Sequence, residues 1–148
     1  MRYDHPMEVS DVRRRLRGAI EDARRRTAER RARVDAASRA WGQVLPSVVI
    51  PAFHALQSAL TGESHRFKVS TPGEAARLTP ERSTAEFIEI ALDTERDLPA
   101  VMIRSLRGRG RRTVSAERIV REGDAIPQLT QEEIVTAVLE ELVPLIER

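Results

Sequence analysis

The chain has 148 residues, 25 of them basic and 23 acidic, for a formal net charge of +2, and it contains no cysteine. That length holds one compact domain plus an appendage, with a core that needs no covalent staple, and the missing thiols exclude disulfides, thiol catalysis and cysteine-based metal sites. Every basic residue but Lys68 is an arginine, and the charges are polarised, with 12 basic against 7 acidic residues up to Gln43 and 13 against 16 from Val44 onward. GC-rich codons alone produce such an arginine bias, so it carries little weight for nucleic-acid binding.

Residues before Met7 include Pro6, show no periodicity and are expected to fray. The N-terminal stretch has no apolar run of the secretory type, so the expected compartment is the cytoplasm. From Glu8 to Val44 the pattern predicts one helix of about 37 residues, a rod near 55 Å. The roughly 105 residues left make a body with a radius of gyration near 13 Å. The rod must overhang. Ser10 or Asp11 can cap its start, and Gly18, which costs about 1 kcal/mol relative to alanine inside a helix, is a candidate kink.

Along this helix Leu16, Ile20, Ala23, Thr27, Val34, Ala37, Trp41 and Val44 recur at steps of four, three and seven, with Arg30 in the missing place. That is a heptad seam, thin in the middle where alanine and threonine bury little area. These eight residues are the predicted oligomer interface, and a homodimer is the expected assembly. The arginines are set among acids: Asp11 with Arg15, Glu21 with Arg25, Asp22 with Arg26, Glu29 with Arg33 and Asp35 with Arg39 are acid-before-base pairs at i, i+4, each worth about 0.2–0.5 kcal/mol. The expectation is a self-neutralising helix surface, with Arg13, Arg14, Arg17, Arg24, Arg30 and Arg31 left over.

No charged residue occurs between Arg39 and Glu63. A stretch of that length raises the question of a membrane span, but its prolines, glutamines, serines and His54 argue against one. It reads as a buried central helix with a stripe of Val49, Phe53, Leu56 and Leu60, with Ala52, Ala55 and Ala59 alongside for close packing. His54 is expected in the core or at its boundary. Pro46 and Pro51 mark where the long helix ends or bends, and Gly62 is the candidate C-cap.

Beyond Gly62 the period becomes two. His65 to Ser70 is a strand with Phe67 and Val69 on one face, and Thr71, Pro72 and Gly73 make a turn. Glu74 to Leu78 reads as one helical turn, and Thr79–Pro80 as another helix start. Ala85 to Asp93 is the strongest strand, with Ile88, Ile90 and Leu92 opposite Phe87 and Ala91, so Glu86 and Glu89 face opposite sides. Ala100 to Arg107 and Arg112 to Arg121 follow. The last helix opens on a capping box, Thr130 with Glu133. It carries a stripe of Ile134, Val135, Val138, Leu139, Leu142 and Ile146, and Pro144 is expected to disturb its final turn. The predicted fold is α+β: a long N-terminal helix and a second helix, a four-stranded, mostly antiparallel meander sheet, and a C-terminal helix packed on it. Residues 1–44 form an oligomerisation arm and residues 45–148 a compact domain.

Chemistry is thin. No phosphate loop, nucleophile elbow or zinc-binding helix motif occurs, and Glu63, His54 and His65 match no ligand spacing. No catalytic residue, cofactor or metal is predicted. The expected function is a non-enzymatic, homo-oligomeric interaction or scaffold module assembled through the long helix, with membrane contact not expected. An alternative is nucleic-acid or acidic-partner binding by Arg107, Arg109, Arg111 and Arg112, on a hairpin whose tip suits Gly108 and Gly110. Their other prospective partners are Glu95, Asp97 and Glu117, and no aromatic residue flanks them for base stacking. A second alternative is a small enzyme whose site is assembled from residues distant in sequence.

Overall fold

The computed structural model of the chain describes residues 6–83 and 85–147. The expectation of fraying at residues 1–5, His5 included, lies outside the described residues. Helix α1 spans Val9–Val44, starting from an extended Glu8 with no side-chain cap rather than from Ser10 or Asp11. At about 1.5 Å per residue it is a rod of about 54 Å. Gly18 lies inside it.

The rod does not end at the prolines. Pro46 and Pro51 have no N–H to place in an α-helical ladder, and the backbone passes between them through a wider π-type turn, Leu45–Val49, in which the Ile50 N–H bonds to the Leu45 carbonyl five residues back. It then continues as α2, Ile50–Gly62. Gly62 is still helical, and the left-handed residue that closes α2 is Ser64, at φ 67°. Its N–H donates to the Thr61 carbonyl at 3.0 Å and the His65 N–H to the Leu60 carbonyl at 2.8 Å, which together make a Schellman motif.

Five strands follow, β1 Phe67–Ser70, β2 Ala75–Pro80, β3 Phe87–Asp93, β4 Ala100–Arg109 and β5 Arg112–Glu122, in one antiparallel sheet in chain order. The four-stranded expectation is corrected by β2, which occupies the segment that reads locally as a helical turn and a helix start. Two alanines and an arginine give that segment little strand preference of its own. Its register decides it, because Leu78 sits between Val69 and Ile88 and Ala76 beside Ile90, all on the core face. Pro80 falls at the strand's last position, where proline is tolerated.

After β5 a short 3-10 segment, Gly123–Gln128, leads to α3, Gln131–Ile146. Its capping box forms as expected, with the Glu133 N–H donating to the Thr130 hydroxyl oxygen at 3.2 Å. Helices α2 and α3 cover one face of the sheet, α2 over β1 and β2, α3 over β3 to β5. The core between them holds Phe53, Leu56, Leu78, Ile88, Ile90, Val101, Ile103, Ile134, Val138 and Leu142. Only one side of α2 is buried; Ala55, Ala59 and His54 face solvent. On α3 the buried set includes Ala137 and Leu145, while Leu139 points outward.

Helix α1 joins this core only at its C-terminal end, through Ala37, Trp41 and Val44. Trp41 is the anchor: its ring is 1% exposed, and its indole N–H donates to the Glu74 carbonyl in the β1–β2 turn at 2.7 Å. Replacing Trp41 by alanine is expected to cost about 3–5 kcal/mol in a urea titration, whereas Leu16→Ala, on the exposed part of the same helix, should change stability by no more than about 0.5 kcal/mol.

Candidate interaction surface

Residues 12–33 are exposed without exception. They are held as helix from the body outward, so the costly nucleating turn is already formed below them. First contact with the body comes near Arg30, whose guanidinium donates to the Glu95 carbonyl at 3.4 Å in the β3–β4 loop. Beyond it lies a free arm, Val9–Glu29, about 30 Å long at about 1.5 Å per residue.

Residues seven apart on a helix lie almost under one another, drifting by about 20° per heptad. Two such rows form the apolar stripe: Val9, Leu16, Ala23, Arg30, Ala37 and Val44, beside Arg13, Ile20, Thr27, Val34 and Trp41. Their lower ends are buried in this chain's own core and Val34 is half-buried. Their upper ends are open, with Val9 70%, Leu16 57% and Ile20 42% exposed, and Met7 and Val12 beside them. The eight residues expected to form one oligomer seam therefore divide. Ala37, Trp41 and Val44 belong to the chain's own fold, because that part of the rod lies on the body. Leu16, Ile20, Ala23 and Thr27 are exposed.

The rows bordering the stripe are Ser10, Arg17, Arg24, Arg31 on one side and Val12, Ala19, Arg26, Arg33 on the other. No acid occurs in these two rows or in the stripe. Glu8, Asp11, Glu21, Asp22, Glu29 and Asp35 all fall in the three remaining rows, on the back. The ion pairs obey this division: Asp11 with Arg14, Asp22 with Arg25 at 3.1 Å, and Glu29 with Arg25 at 4.0 Å. None is one of the five i, i+4 pairs expected from spacing. Among the described residues Arg13, Arg17, Arg24, Arg26, Arg30, Arg31 and Arg33 make no ion pair.

The Arg107–Arg112 hairpin turns at Gly110, φ +65°, with Arg109 opposite Arg112. Gly108 is not part of the tip. It lies within β4, where its N–H donates to the buried Glu86 carboxylate at 2.8 Å. Alternation puts Arg107, Arg109 and Arg112 on the helix-covered face, where Arg107 and Arg109 border an open hollow with Pro144 and Glu147. Glu95, Asp97 and Glu117 are not their partners, and among the described residues Arg107, Arg109, Arg111 and Arg112 form no ion pair.

Several charged groups of the sheet are taken up structurally. Glu89, 4% exposed, lies between Arg77 of β2 and Arg104 of β4 in direct register, with guanidinium contacts of 3.0 and 2.9 Å, and Arg77 also lies 4.3 Å over the Phe87 ring. Glu86, on the opposite face as expected from alternation, bonds Arg82 at 2.9 Å, and Arg82 reaches the Leu145 carbonyl at 3.1 Å. A bulge places Val101 opposite Arg121 but Met102 opposite Ile119. It turns Arg121 to the same side as Arg118, both toward α3. Arg118 meets Glu140 and Glu141 there, and Arg121 meets Glu133 through two hydrogen bonds of 2.6 and 2.7 Å. These partners became visible only with the sheet register. The arginine-bordered stripe was legible in the sequence, had residues been sorted by heptad row and not by i, i+4 pair.

A hollow of about 300 Å³ lies at the root of the arm between Ala32, Ala36 and Ala40 of α1 and Leu98, Pro99 and Pro127. Its lining is mostly apolar. Among the described residues no three acidic or histidine side chains are grouped to hold a metal ion, and His54 and His65 are exposed. One helical stretch within Val9–Gly62 is long and apolar enough by composition to cross a membrane, and the Val49, Ala52, Phe53, Leu56 and Leu60 side of it is packed in the core. No protein-family model, no curated protein and no solved structure matches the chain.

The Arg121 guanidinium, with help from the Thr130 hydroxyl and N–H, holds the Glu133 carboxyl below its usual range, against a smaller opposing effect of burial. A depressed carboxylate contributes stability that is complete above its unfolded value and is lost as pH falls through the folded one. Glu133→Gln should therefore lower the melting temperature by about 2–4 °C at neutral pH, with the difference from the parent closing as melts are taken to increasingly acid pH.

Proposed function

We propose that the chain is a non-enzymatic interaction module: a compact α+β body that holds out the first half of α1 as a docking arm. The observation that carries this reading is the uncovered stripe of Val9, Leu16 and Ile20, with Val12 on its border, on a helix whose continuation is buried in the core. The non-enzymatic part is supported by the pairing of the buried carboxylates Glu86 and Glu89 with arginines.

A second copy is the occupant suggested by a heptad seam. The border rows weigh against it. Either helix orientation would bring Arg17, Arg24, Arg26, Arg31 and Arg33 toward the same residues of the other copy, with no acid on those rows to meet them. Sedimentation of the full chain should give the 16.7 kDa monomer, and amide exchange in residues 9–29 should be far faster than in residues 37–60. Leu16→Asp with Ile20→Asp should leave the melting temperature unchanged. A drop as large as that of a core variant, or arm amides as protected as the core in a monomer, would show that the row belongs to the chain's own fold and overturn the reading. A dimer dissolved by the double variant would name the second copy as the partner.

The hairpin supports a second reading, polyanion contact, because Arg107, Arg109, Arg111 and Arg112 are without ion pairs at one end of the sheet. Duplex binding through these four should fall with a log–log salt slope of about −3 to −4 and vanish when all four are alanine. Binding that survives the fourfold variant would rule the hairpin out.

A further inference from the structure

We propose that the docking arm receives an amphipathic helix of a different protein, one whose apolar row is bordered by aspartate and glutamate. This rests on the interaction-module reading and names the partner of the same arm. Three observations carry it. The first is charge: the stripe is bordered by Arg17, Arg24 and Arg31 on one side and Arg26 and Arg33 on the other, while the arm's acids are confined to its back. Arginines on both borders recognise carboxylates on both borders of a facing helix, as the e and g positions of paired helices do. The ion pairs that do form, through Arg14 and Arg25, leave these border guanidinia available.

The second is the apolar row between the borders: Leu16 and Ile20, 57% and 42% exposed, form a narrow strip with arginines on both sides, the cross-section that a facing helix covers. A duplex would meet the arginines but leave Leu16 and Ile20 uncovered between them. The third is side-chain size. In a parallel pair of identical arms Ala23 and Thr27 would meet each other and leave a shallow middle, whereas a partner helix with leucine or phenylalanine there fills it. The free length of the arm sets the partner helix at about three heptads.

The test uses the full chain and two labelled synthetic helices of about three heptads, both with leucine at a and d, one with glutamate and the other with lysine at every e and g position. Fluorescence anisotropy should show the glutamate helix binding at least about tenfold more tightly than the lysine helix, with the preference shrinking in high salt. Leu16→Asp with Ile20→Asp should abolish binding. Arg17→Glu, Arg24→Glu and Arg31→Glu together should transfer the preference to the lysine helix. Equal binding of the two helices, binding of neither, or retention of the glutamate preference by the triple variant overturns the proposal. So does a self-paired arm, or recruitment to phosphatidylserine vesicles that the Leu16 and Ile20 substitutions abolish. If neither helix binds while the arm amides still exchange rapidly in a monomer, the interaction-module reading stands and only the acidic partner falls.

Discussion

Trp41 is the point at which a 36-residue helix becomes part of a folded body. Its ring is enclosed by the core and its indole N–H is committed to the Glu74 carbonyl, so the axis of α1 is set from one end. Everything above follows from that clamp. A helix held at its base propagates outward without a second nucleation, and the arm inherits a direction from the body without needing contacts of its own. The π-type turn at Leu45–Val49 works in the same sense. It absorbs two prolines without breaking the rod, so the clamp at Trp41 and the packing of Phe53 and Leu56 belong to one continuous element.

The body is stabilised unevenly on its two faces. The covered face is closed by α2 and α3 over branched aliphatic side chains. The open face is spanned by a cross-strand row in which Glu89 lies between Arg77 and Arg104, with Arg104 opposite Glu117. Removing a buried carboxylate from water is unfavourable unless its oxygens are matched, and here two guanidinia from adjacent strands match them. The bulge near Val101 serves the other face by bringing Arg118 and Arg121 to the same side, where the acids of α3 meet them. Glu86, Glu89, Glu133, Glu140 and Glu141 are thereby occupied locally, and among the described residues the border arginines of the arm make no ion pair.

Spacing in the sequence identified i, i+4 partners for five arginines, and the helix forms none of these pairs. Side chains three and four apart compete for the same guanidinium, and Arg25 takes both Asp22 and Glu29, leaving Arg26 and Arg33 on another face. An acid has neighbours both three and four positions away, and here Asp22 and Glu29 turn to Arg25 and not to Arg26 and Arg33. The predicted seam divides as well. Periodicity placed Leu16 and Trp41 on one side of one helix correctly, but it has no term for how far along that side the body extends.

The sequence by itself determined the α+β class, the long helix and its overhang, the stripe of α2, the alternation of β3 and the capping box at Thr130. Each of these is a local periodicity or a short-range hydrogen bond, expressed in residues a few positions apart. Only the tertiary structure decided that Ala75–Pro80 is a strand, that Ser64 and not Gly62 takes the left-handed turn, that Arg121 faces Glu133, and where along α1 burial stops. Those outcomes depend on pairing register and on the distance between elements far apart in the chain, and no local pattern encodes either. For the arm, both levels are needed: the heptad rows say which residues share a side, and the body says which of them remain uncovered.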